Sequence, residues 1–326
     1  MKKLAIIGAG ELGSRHLQSL ANLREAANIQ LVDPCEQALN TAKNRFEAVK
    51  SDAGQNVSIE FFQDIKELND DINLCIIATN ANVRLMVLEN LLAAKKVKYI
   101  VFEKVLFQSE EQYGIAQRLL DEHQVKAWVN CPRRMFPIYT KLDKMLQNEM
   151  VNSIQVKGYN WGLACNSIHF LDLFAHFLKT TEYKINTQQL EDQVLGSKRK
   201  GFVELFGTLS GSFANGTTVE LTCLESGKKP SLIIDIDTSK YLISVLETSQ
   251  KIHILDKSDN TLTERAIDFP YQSNLTEKVA TDLFLRDNCN ITTFRDSAAI
   301  HLPFISALKQ HISRVKNHHI DLCPIT

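Results

Sequence analysis

The 326-residue sequence lacks the features that point to several large classes of protein. Its 37 lysines and arginines are balanced by 38 aspartates and glutamates, so no excess of positive charge is available to attract nucleic acid or an anionic membrane. No stretch approaches the roughly eighteen apolar residues of a membrane span. A nucleophile elbow, a Gly-Lys-Thr phosphate loop and a zinc-ligand quartet are also missing. We therefore expect no nucleic-acid partner, no membrane partner and no metal.

Cysteines are few and show no pairing pattern. The seven residues, an odd number, are scattered between Cys35 and Cys323 without short paired spacings, which excludes an obvious disulfide framework. Free thiols are typical of a reducing compartment, so we expect a cytoplasmic protein. The apolar start of the chain is interrupted by Gly8 and nearby charges, and is therefore interpreted as a first strand and not as a secretion signal.

The strongest motif is a glycine-rich turn after that first strand. Leu4–Ile7 is followed by Gly8-Ala9-Gly10-Glu11-Leu12-Gly13, and then by a helical stretch. In a dinucleotide-binding turn, the first glycine permits the tight bend, the second lets the pyrophosphate approach, and the third lets helix and strand pack closely. Free N–H groups at the helix start bind the phosphates. The cofactor-binding residues expected here are Gly8, Gly10, Glu11, Leu12 and Gly13.

An acid at the end of the second strand indicates which cofactor binds. Asp33 follows Gly13 by twenty residues, where a carboxylate accepts hydrogen bonds from ribose hydroxyls and repels a 2′-phosphate. Pro34 and Cys35 add no basic residue. Arg15 and Arg45 remain candidates to hold a 2′-phosphate from elsewhere in the fold. The pattern favours NAD over NADP.

The arrangement of apolar segments predicts an α/β protein with two domains. Strands and helices alternate up to about residue 130, which is typical of a doubly wound parallel sheet of the Rossmann type. After Pro132 the pattern changes, and strands follow one another from Val203 to Leu255 with polar turns between them. We expect residues 1–130 to bind NAD(P), and residues 131–326 to form an α/β domain with a large, mostly antiparallel open sheet. Ser210-Gly211-Ser212 is expected to be a turn.

Polar residues follow two of the apolar strands in the first domain. Thr79 and Asn80 end the fourth strand, and Glu103 and Lys104 end the fifth. Ligands of open α/β sheets bind at the carboxyl ends of the strands, so Thr79 and Asn80 are candidates for the ribose and nicotinamide side of the cofactor. A strand-end turn that uses Asn80 for backbone bonding is the alternative. Lys104 is not needed for packing, which favours a chemical role.

On these residues the chain resembles the glucose–fructose oxidoreductase/inositol dehydrogenase (Gfo/Idh/MocA) family. That family shares the glycine turn, an alanine–threonine fourth strand and a fifth strand that ends in Glu-Lys-Pro. The resemblance implies a catalytic role for Lys104 and a cofactor-side role for Glu103. Val105 stands where the family has proline.

The resemblance continues past residue 130. The segment from Asn130 to Pro137 is similar to the family's Asn-x-Arg-Phe-x-Pro, with Arg134 and Phe136 as equivalents. The segment from Cys165 to Asp172 is similar to its Asp-x-x-x-His-x-x-Asp helix, with Cys165 in place of the first aspartate. A second register, which pairs Asp172 with His176, remains open. The resemblance implies His169 as the second catalytic residue, and implies substrate contacts from Lys104, Arg134, Asn166, His169 and Asp172.

The resemblance implies an oxidoreductase that transfers hydride between NAD(P) and a carbinol or carbonyl carbon of a sugar derivative. Phosphorylated and nucleotide-linked sugars are left open, since Arg133 and Arg134 are available to meet an anion. The alternative is a non-catalytic, nucleotide-responsive regulator or scaffold, favoured by the departures at Val105 and Cys165. Apolar residues on the C-terminal strands need a cover, so we expect a homodimer or homotetramer formed through that sheet.

Overall fold

The computed structural model describes residues 1–49, 56–227, 229–270 and 274–326. The chain divides into two compact units. The main division falls between Pro132 and Arg133, and a later segment, Pro270–Arg295, also belongs to the first unit. The first unit comprises Met1–Phe107, Glu111–Pro132 and Pro270–Arg295, and the second comprises Gln108–Glu110, Arg133–Phe269 and Asp296–Thr326.

The first unit is built on a sheet that has seven strands among the described residues. Its strands are β1 (Lys2–Ile7), β2 (Ala27–Val32), β3 (Val57–Phe62), β4 (Asp71–Ile77), β5 (Lys96–Phe102), β6 (Lys126–Val129) and β17 (Thr292–Thr293). Its helices are α1 (Glu11–Leu20), α2 (Glu36–Glu47), α3 (Ala81–Ala94), α4 (Glu110–Glu122) and α7 (Thr276–Arg286). The strand order is β17-β6-β5-β4-β1-β2-β3. Every pair is parallel except β17 with β6. This is the doubly wound order of a Rossmann fold, with its switch point between β1 and β4.

Continuous apolar strands explain this sheet. Leu4–Ile7, Leu74–Ile77 and Tyr99–Phe102 are almost fully buried, as expected where helices cover both faces of a parallel sheet. The Rossmann fold expected from the sequence is thereby confirmed. Helix α7 contacts α1 within this unit. The backbone N–H of Glu277, on α7, donates a 2.9 Å hydrogen bond to Ser19 Oγ, on α1.

The second unit contains a larger sheet, with eight strands among the described residues. Its elements are α5 (Pro137–Leu146), β7 (Val151–Tyr159), α6 (Leu163–Leu178), β8 (Tyr183–Leu190), β9 (Leu195–Gly196), β10 (Val203–Glu204), β11 (Gly207–Phe213), β12 (Thr218–Leu224), β13 (Ser231–Thr238), β14 (Tyr241–Leu246), β15 (Lys251–Asp256), β16 (Thr261–Ala266) and α8 (Phe294–Lys316). The order is β16-β15-β14-β13-β7-β12-β11-β8, and only β12 with β7 is parallel. The mostly antiparallel sheet expected from the sequence is confirmed.

This sheet is buried on one face. Along β13, Leu232, Ile234 and Ile236 are buried, whereas Ile233 and Asp235 point to the other side and are exposed or half-buried. Such alternation is typical of an antiparallel sheet with one covered face. Helix α6 packs on β7 and β12, and α5 packs on α6.

The prediction of a turn at Ser210-Gly211-Ser212 is wrong. These residues lie within strand β11, which pairs with β8 on one side and β12 on the other. A Cβ on Gly211 would come within 2.1 Å of the carbonyl oxygen of Lys184, so glycine is required there for close approach of the strands. A strand segment made of small polar residues looks like a turn in the sequence, because it lacks the alternation of apolar and polar residues that marks a strand.

Candidate active site

The glycine turn of the first unit leaves room for a dinucleotide. Gly8 has a φ of +100°, and a Cβ on Gly13 would lie 1.7 Å from the carbonyl oxygen of Gly8, so helix α1 packs directly against the turn. A Cβ on Gly10 would meet no described atom within 4 Å. Gly10 also precedes α1 without a capping side chain. The start of α1 therefore combines open space with helical N–H groups, which fits a pyrophosphate.

Asp33 is tied to the same turn. One carboxylate oxygen accepts a 2.7 Å hydrogen bond from the backbone N–H of Ala9, and the other accepts one of 2.8 Å from Cys35. The carboxylate therefore lies between the glycine turn and the end of β2, where the ribose of a dinucleotide binds.

Both arginines considered for a 2′-phosphate are paired with Glu11. Arg45 Nη2 lies 2.7 Å from one carboxylate oxygen of Glu11, and Arg15 Nη2 lies 3.2 Å from the other. The Arg45 hydrogen bond, and then the charges of both arginines, hold the pKa of Glu11 below its ordinary value. Glu11 therefore holds both guanidinium groups, and its one negative charge balances one of their two positive charges.

Thr79 and Asn80 lie at the carboxyl end of β4, as expected. Asn80 is exposed and precedes helix α3. The hydroxyl oxygen of Thr79 is buried and has no hydrogen-bond partner among the described residues. A buried hydroxyl in this condition is normally satisfied by a further group, and a cofactor hydroxyl or amide fits this requirement.

Glu103 is held by a buried network within the first unit. Its Oε1 accepts hydrogen bonds from His16 Nε2 at 2.8 Å and from Asn130 Nδ2 at 2.6 Å. The other ring nitrogen of His16 lies 2.8 Å from Thr276 Oγ1. Burial raises the pKa of Glu103, but the His16 and Asn130 hydrogen bonds and the Lys104 charge together bring that pKa below its ordinary value. The carboxyl is therefore ionised beside Lys104.

The loop after β5 is fixed by Arg84, which the sequence reasoning missed. Arg84 is fully buried on α3, and its Nη1 donates to the carbonyl oxygens of Val105 and, at 2.9 Å, of Leu106. Its Nη2 donates to the carbonyl oxygen of Thr79. One guanidinium thus joins the ends of β4 and β5, the two strand ends that carry candidate residues. Lys104 is buried, and the Lys104–Val105 peptide is cis.

In the second unit, His169 lies on helix α6 and lines a cavity of about 570 Å³. Asn166, one turn earlier on α6, lines the same cavity, and its Nδ2 donates a 2.7 Å hydrogen bond to the carbonyl oxygen of Trp161. The full lining is Arg133, Asn160, Trp161, Asn166, His169, Phe170, Pro230, Ser231, Leu232, Glu247 and Thr248. The structure therefore brings together two of the expected substrate residues.

Arg134 and Asp172, also expected at the substrate, bind each other. Arg134 Nη2 and Nε lie 2.9 and 3.1 Å from the two carboxylate oxygens of Asp172, which is almost fully buried. Neither residue is part of the lining of the His169 cavity. This bidentate pair fixes α6 to the segment that precedes α5.

His176 lies two turns beyond His169, in a different environment. It lines a separate cavity of about 440 Å³ with Arg134 and Lys179, and its Nε2 is 3.7 Å from Asp143 Oδ1. Burial, followed by the Arg134 and Lys179 charges, lowers the pKa of His176 to about 4. His176 is therefore neutral at neutral pH.

The carboxylate of Glu204, on strand β10, lies at the start of α6, close to Cys165. Glu204 Oε1 accepts hydrogen bonds from the backbone N–H groups of Ala164 at 2.5 Å and of Leu205 at 3.0 Å. Burial raises the pKa of Glu204. An acid at a helix N-terminus is favourable because of the helix dipole. Sequence reasoning did not find Glu204, since no spacing links it to α6.

Two broader properties concern membranes and metals. Within residues 1–49, 56–227, 229–270 and 274–326, no helix is both long enough and apolar enough to cross a membrane. The same part of the chain contains no cluster of three or more histidine, cysteine, aspartate or glutamate residues placed to hold a metal ion.

Similarity to known proteins supports this description of the fold. Residues 2–131 match the model of the GFO_IDH_MocA family, described as an oxidoreductase family with an NAD-binding Rossmann fold. No curated protein sequence matches the chain.

Several solved structures share the fold along nearly the whole chain. An oxidoreductase from Agrobacterium radiobacter in complex with NAD+, L-tartaric acid and magnesium has a TM-score of 0.74 at 15% identity, covering 96% of this chain and 97% of that chain. Apo scyllo-inositol dehydrogenase from Lactobacillus casei has a TM-score of 0.70 at 17% identity, covering 98% and 97%. A super-repressor mutant of Gal80p from Saccharomyces cerevisiae has a TM-score of 0.71 at 14% identity, covering 97% and 98%. At these identities the likeness concerns the fold alone. In sequence, residues 2–131 are thus similar to the Gfo/Idh/MocA family of oxidoreductases with an NAD-binding Rossmann fold.

Proposed function

We propose that this protein is an NAD-dependent oxidoreductase that transfers hydride between nicotinamide and a carbinol or carbonyl carbon of a sugar or polyol derivative. The observation that carries the proposal is Lys104, a buried cation at the carboxyl edge of a dinucleotide-binding sheet, next to an ionised carboxylate. Packing does not require an ammonium group there. A charge at such an edge is suited to stabilising negative charge on a reacting oxygen.

The proposed roles use both units. Gly8, Gly10, Glu11, Leu12 and Gly13 form the turn that would hold the pyrophosphate, Asp33 would bind the ribose, and Thr79, Asn80 and Glu103 would lie on the nicotinamide side. When bound, NAD supplies the acceptor for the hydride that leaves the carbinol carbon. His169 takes the hydroxyl proton at its imidazole, and the Lys104 ammonium donates a hydrogen bond to the same oxygen as the carbonyl forms. In reduction, His169 returns the proton.

The environment of the two histidines supports His169 over His176 as the base. A general base works best when its pKa lies near the operating pH. His176, whose pKa is lowered to about 4, is a poor match for chemistry near neutrality. His169 lines a cavity together with amide and hydroxyl side chains, which are suited to binding a polyol.

We further propose a cytoplasmic homodimer or homotetramer without nucleic-acid partners. Support for the compartment comes from the seven cysteines, all of them free in the described residues. Support for assembly comes from the outer face of the large sheet, which carries exposed apolar residues including Ile233 and Leu242.

A non-catalytic, nucleotide-responsive regulator remains the second candidate. The departures at Val105 and Cys165, and the likeness in fold to a super-repressor mutant of Gal80p, favour it. The retained Lys104 favours the enzyme. A steady-state screen that follows NADH formation from NAD and a panel of sugars and polyols separates the two candidates, with Lys104→Ala as the inactive control. Turnover by the unmodified protein supports the enzyme, whereas NAD binding without turnover of any compound supports the regulator.

A further inference from the structure

The cavity that contains His169 also contains a partly buried ion pair. Arg133 Nη1 donates to Glu247 Oε1, and the hydroxyl of the fully buried Tyr139 donates to the same oxygen. The side chains of Arg133 and Glu247 are 17% and 15% exposed. The Arg133 guanidinium also lies over the ring of Phe170, 4.3 Å from its centroid. Glu247 is therefore held in place from two sides, and Arg133 is held by both the carboxylate and the ring.

This pair cancels the fixed charge of the cavity. Among the described lining residues, Arg133 and Glu247 are the ones with a permanent charge, and His169 is the remaining ionisable group. The other polar lining residues are neutral amides and hydroxyls, namely Asn160, Asn166, Ser231 and Thr248. A phosphate or carboxylate is normally bound by an arginine whose charge is not already compensated.

The neighbouring arginine does not change this balance. Arg134 is bound in a bidentate manner by the buried carboxylate of Asp172 and does not line the cavity. Both arginines that the sequence offers for an anionic substrate are thus paired with acids inside the second unit. An anion in the cavity would also lie close to the Glu247 carboxylate, and like charges placed together cost several kcal/mol.

We propose that this cavity binds a neutral polyhydroxylated compound, and that Glu247 is a specificity-determining residue that excludes phosphorylated and carboxylated analogues by keeping Arg133 paired. The inference rests on the proposed function, because it names the substrate class of the same site. It favours neutral compounds over the phosphorylated and nucleotide-linked sugars that the sequence leaves open.

The test is a calorimetric titration of inorganic phosphate into protein saturated with NAD, so that the glycine turn is occupied. Glu247→Gln removes the negative charge and retains an oxygen for Tyr139 and Arg133. We expect phosphate to bind this variant at least about tenfold more tightly than the unmodified protein, since a released arginine forms charge-assisted hydrogen bonds. Glu264→Gln, an exposed acid on β16, is the matched control and should leave phosphate binding unchanged.

A double variant shows whether Arg133 is the group that binds the phosphate in Glu247→Gln. In Arg133→Gln/Glu247→Gln the added phosphate binding should disappear. Equal phosphate affinity in the unmodified protein and Glu247→Gln would overturn the proposal, and so would a gain that persists in the double variant.

Arg133→Gln alone provides an independent test should Glu247→Gln fold poorly. The proposal expects no change in phosphate binding by this variant, because Arg133 is already compensated. A loss of phosphate binding relative to the unmodified protein would contradict it. These binding measurements do not depend on turnover. They can contradict the role of Glu247 while the protein still forms NADH from neutral polyols, and they can support that role in a protein that forms no NADH.

Discussion

The backbone N–H of Ala9 donates a 2.7 Å hydrogen bond to the carboxylate of Asp33, which joins the glycine turn to the end of strand β2. Asp33 therefore has two functions that substitution can separate. As a hydrogen-bond acceptor it holds the turn, and as a negative charge it opposes a 2′-phosphate on the ribose.

Cofactor choice should depend on the charge of Asp33. We expect the unmodified protein to bind NADH more tightly than NADPH, and Asp33→Asn to narrow the difference by about tenfold or more, because like charges in contact cost several kcal/mol. Asn keeps an oxygen for the Ala9 N–H, whereas Asp33→Ala also removes the contact and should weaken both cofactors. Fluorescence titration of both cofactors measures this. Tighter binding of NADPH by the unmodified protein would refute the assignment.

The buried pair of His16 and Glu103 should contribute strongly to stability. His16→Ala removes one of the hydrogen bonds that a buried carboxylate accepts, which typically costs about 1–3 kcal/mol in the free energy of unfolding. Arg15→Ala, one residue earlier, removes an exposed pair with Glu11 and should cost less than about 1 kcal/mol. Urea unfolding compares the two variants. Similar small losses in both would show that the network around Glu103 is not a major source of stability.

His176 should make the protein less stable in acid. Its pKa is lowered to about 4 in the folded protein from an ordinary 6.5, so between these values the unfolded chain binds a proton that the folded protein does not. Stability from this source is complete above pH 6.5 and falls as the pH approaches 4. The charged groups that face the ring are Arg134, Lys179 and Asp143. His176→Gln should therefore show a smaller fall in Tm between neutral pH and pH 5, and an unchanged fall would contradict this.

The outer face of the large sheet should form a subunit interface. Its exposed apolar residues include Ile233 on β13 and Leu242 on β14. Light scattering at micromolar concentration should give a mass of two or four times 36.9 kDa. Ile233→Glu should reduce that mass, whereas Leu322→Glu, exposed outside the sheet, should not. A monomer mass for the unmodified protein would exclude this interface under those conditions.

The sequence predicts the first unit well because its signals are local. A buried parallel strand is a short apolar run, and β1, β4 and β5 are such runs. It fails at β11, where small polar residues conceal the strand, and at β16, where the single large apolar residue, Leu262, is exposed. Periodicity cannot identify a strand that lacks an apolar face.

The site is predicted only in part for a related reason. The positions of Lys104 and His169 follow from motifs, but their supporting contacts join distant residues. His16 is 260 residues from Thr276, and Arg133 is 114 residues from Glu247. No spacing rule links such pairs. Of these supporting residues, Arg84 alone could have been suspected from the sequence, because it is a charged residue on an otherwise apolar helix face.

The most direct test of the account is the rate of hydride transfer in Lys104→Ala, His169→Ala and His176→Ala, measured as NADH formation from a polyol that the unmodified protein oxidises. We predict a loss of about a hundredfold or more in kcat for Lys104→Ala, with NAD affinity nearly unchanged, because one donor to the developing charge is removed. His169→Ala should lose about a hundred- to ten-thousandfold, and His176→Ala should lose little. Near-normal turnover by Lys104→Ala, or an essential His176 beside a dispensable His169, would contradict the account.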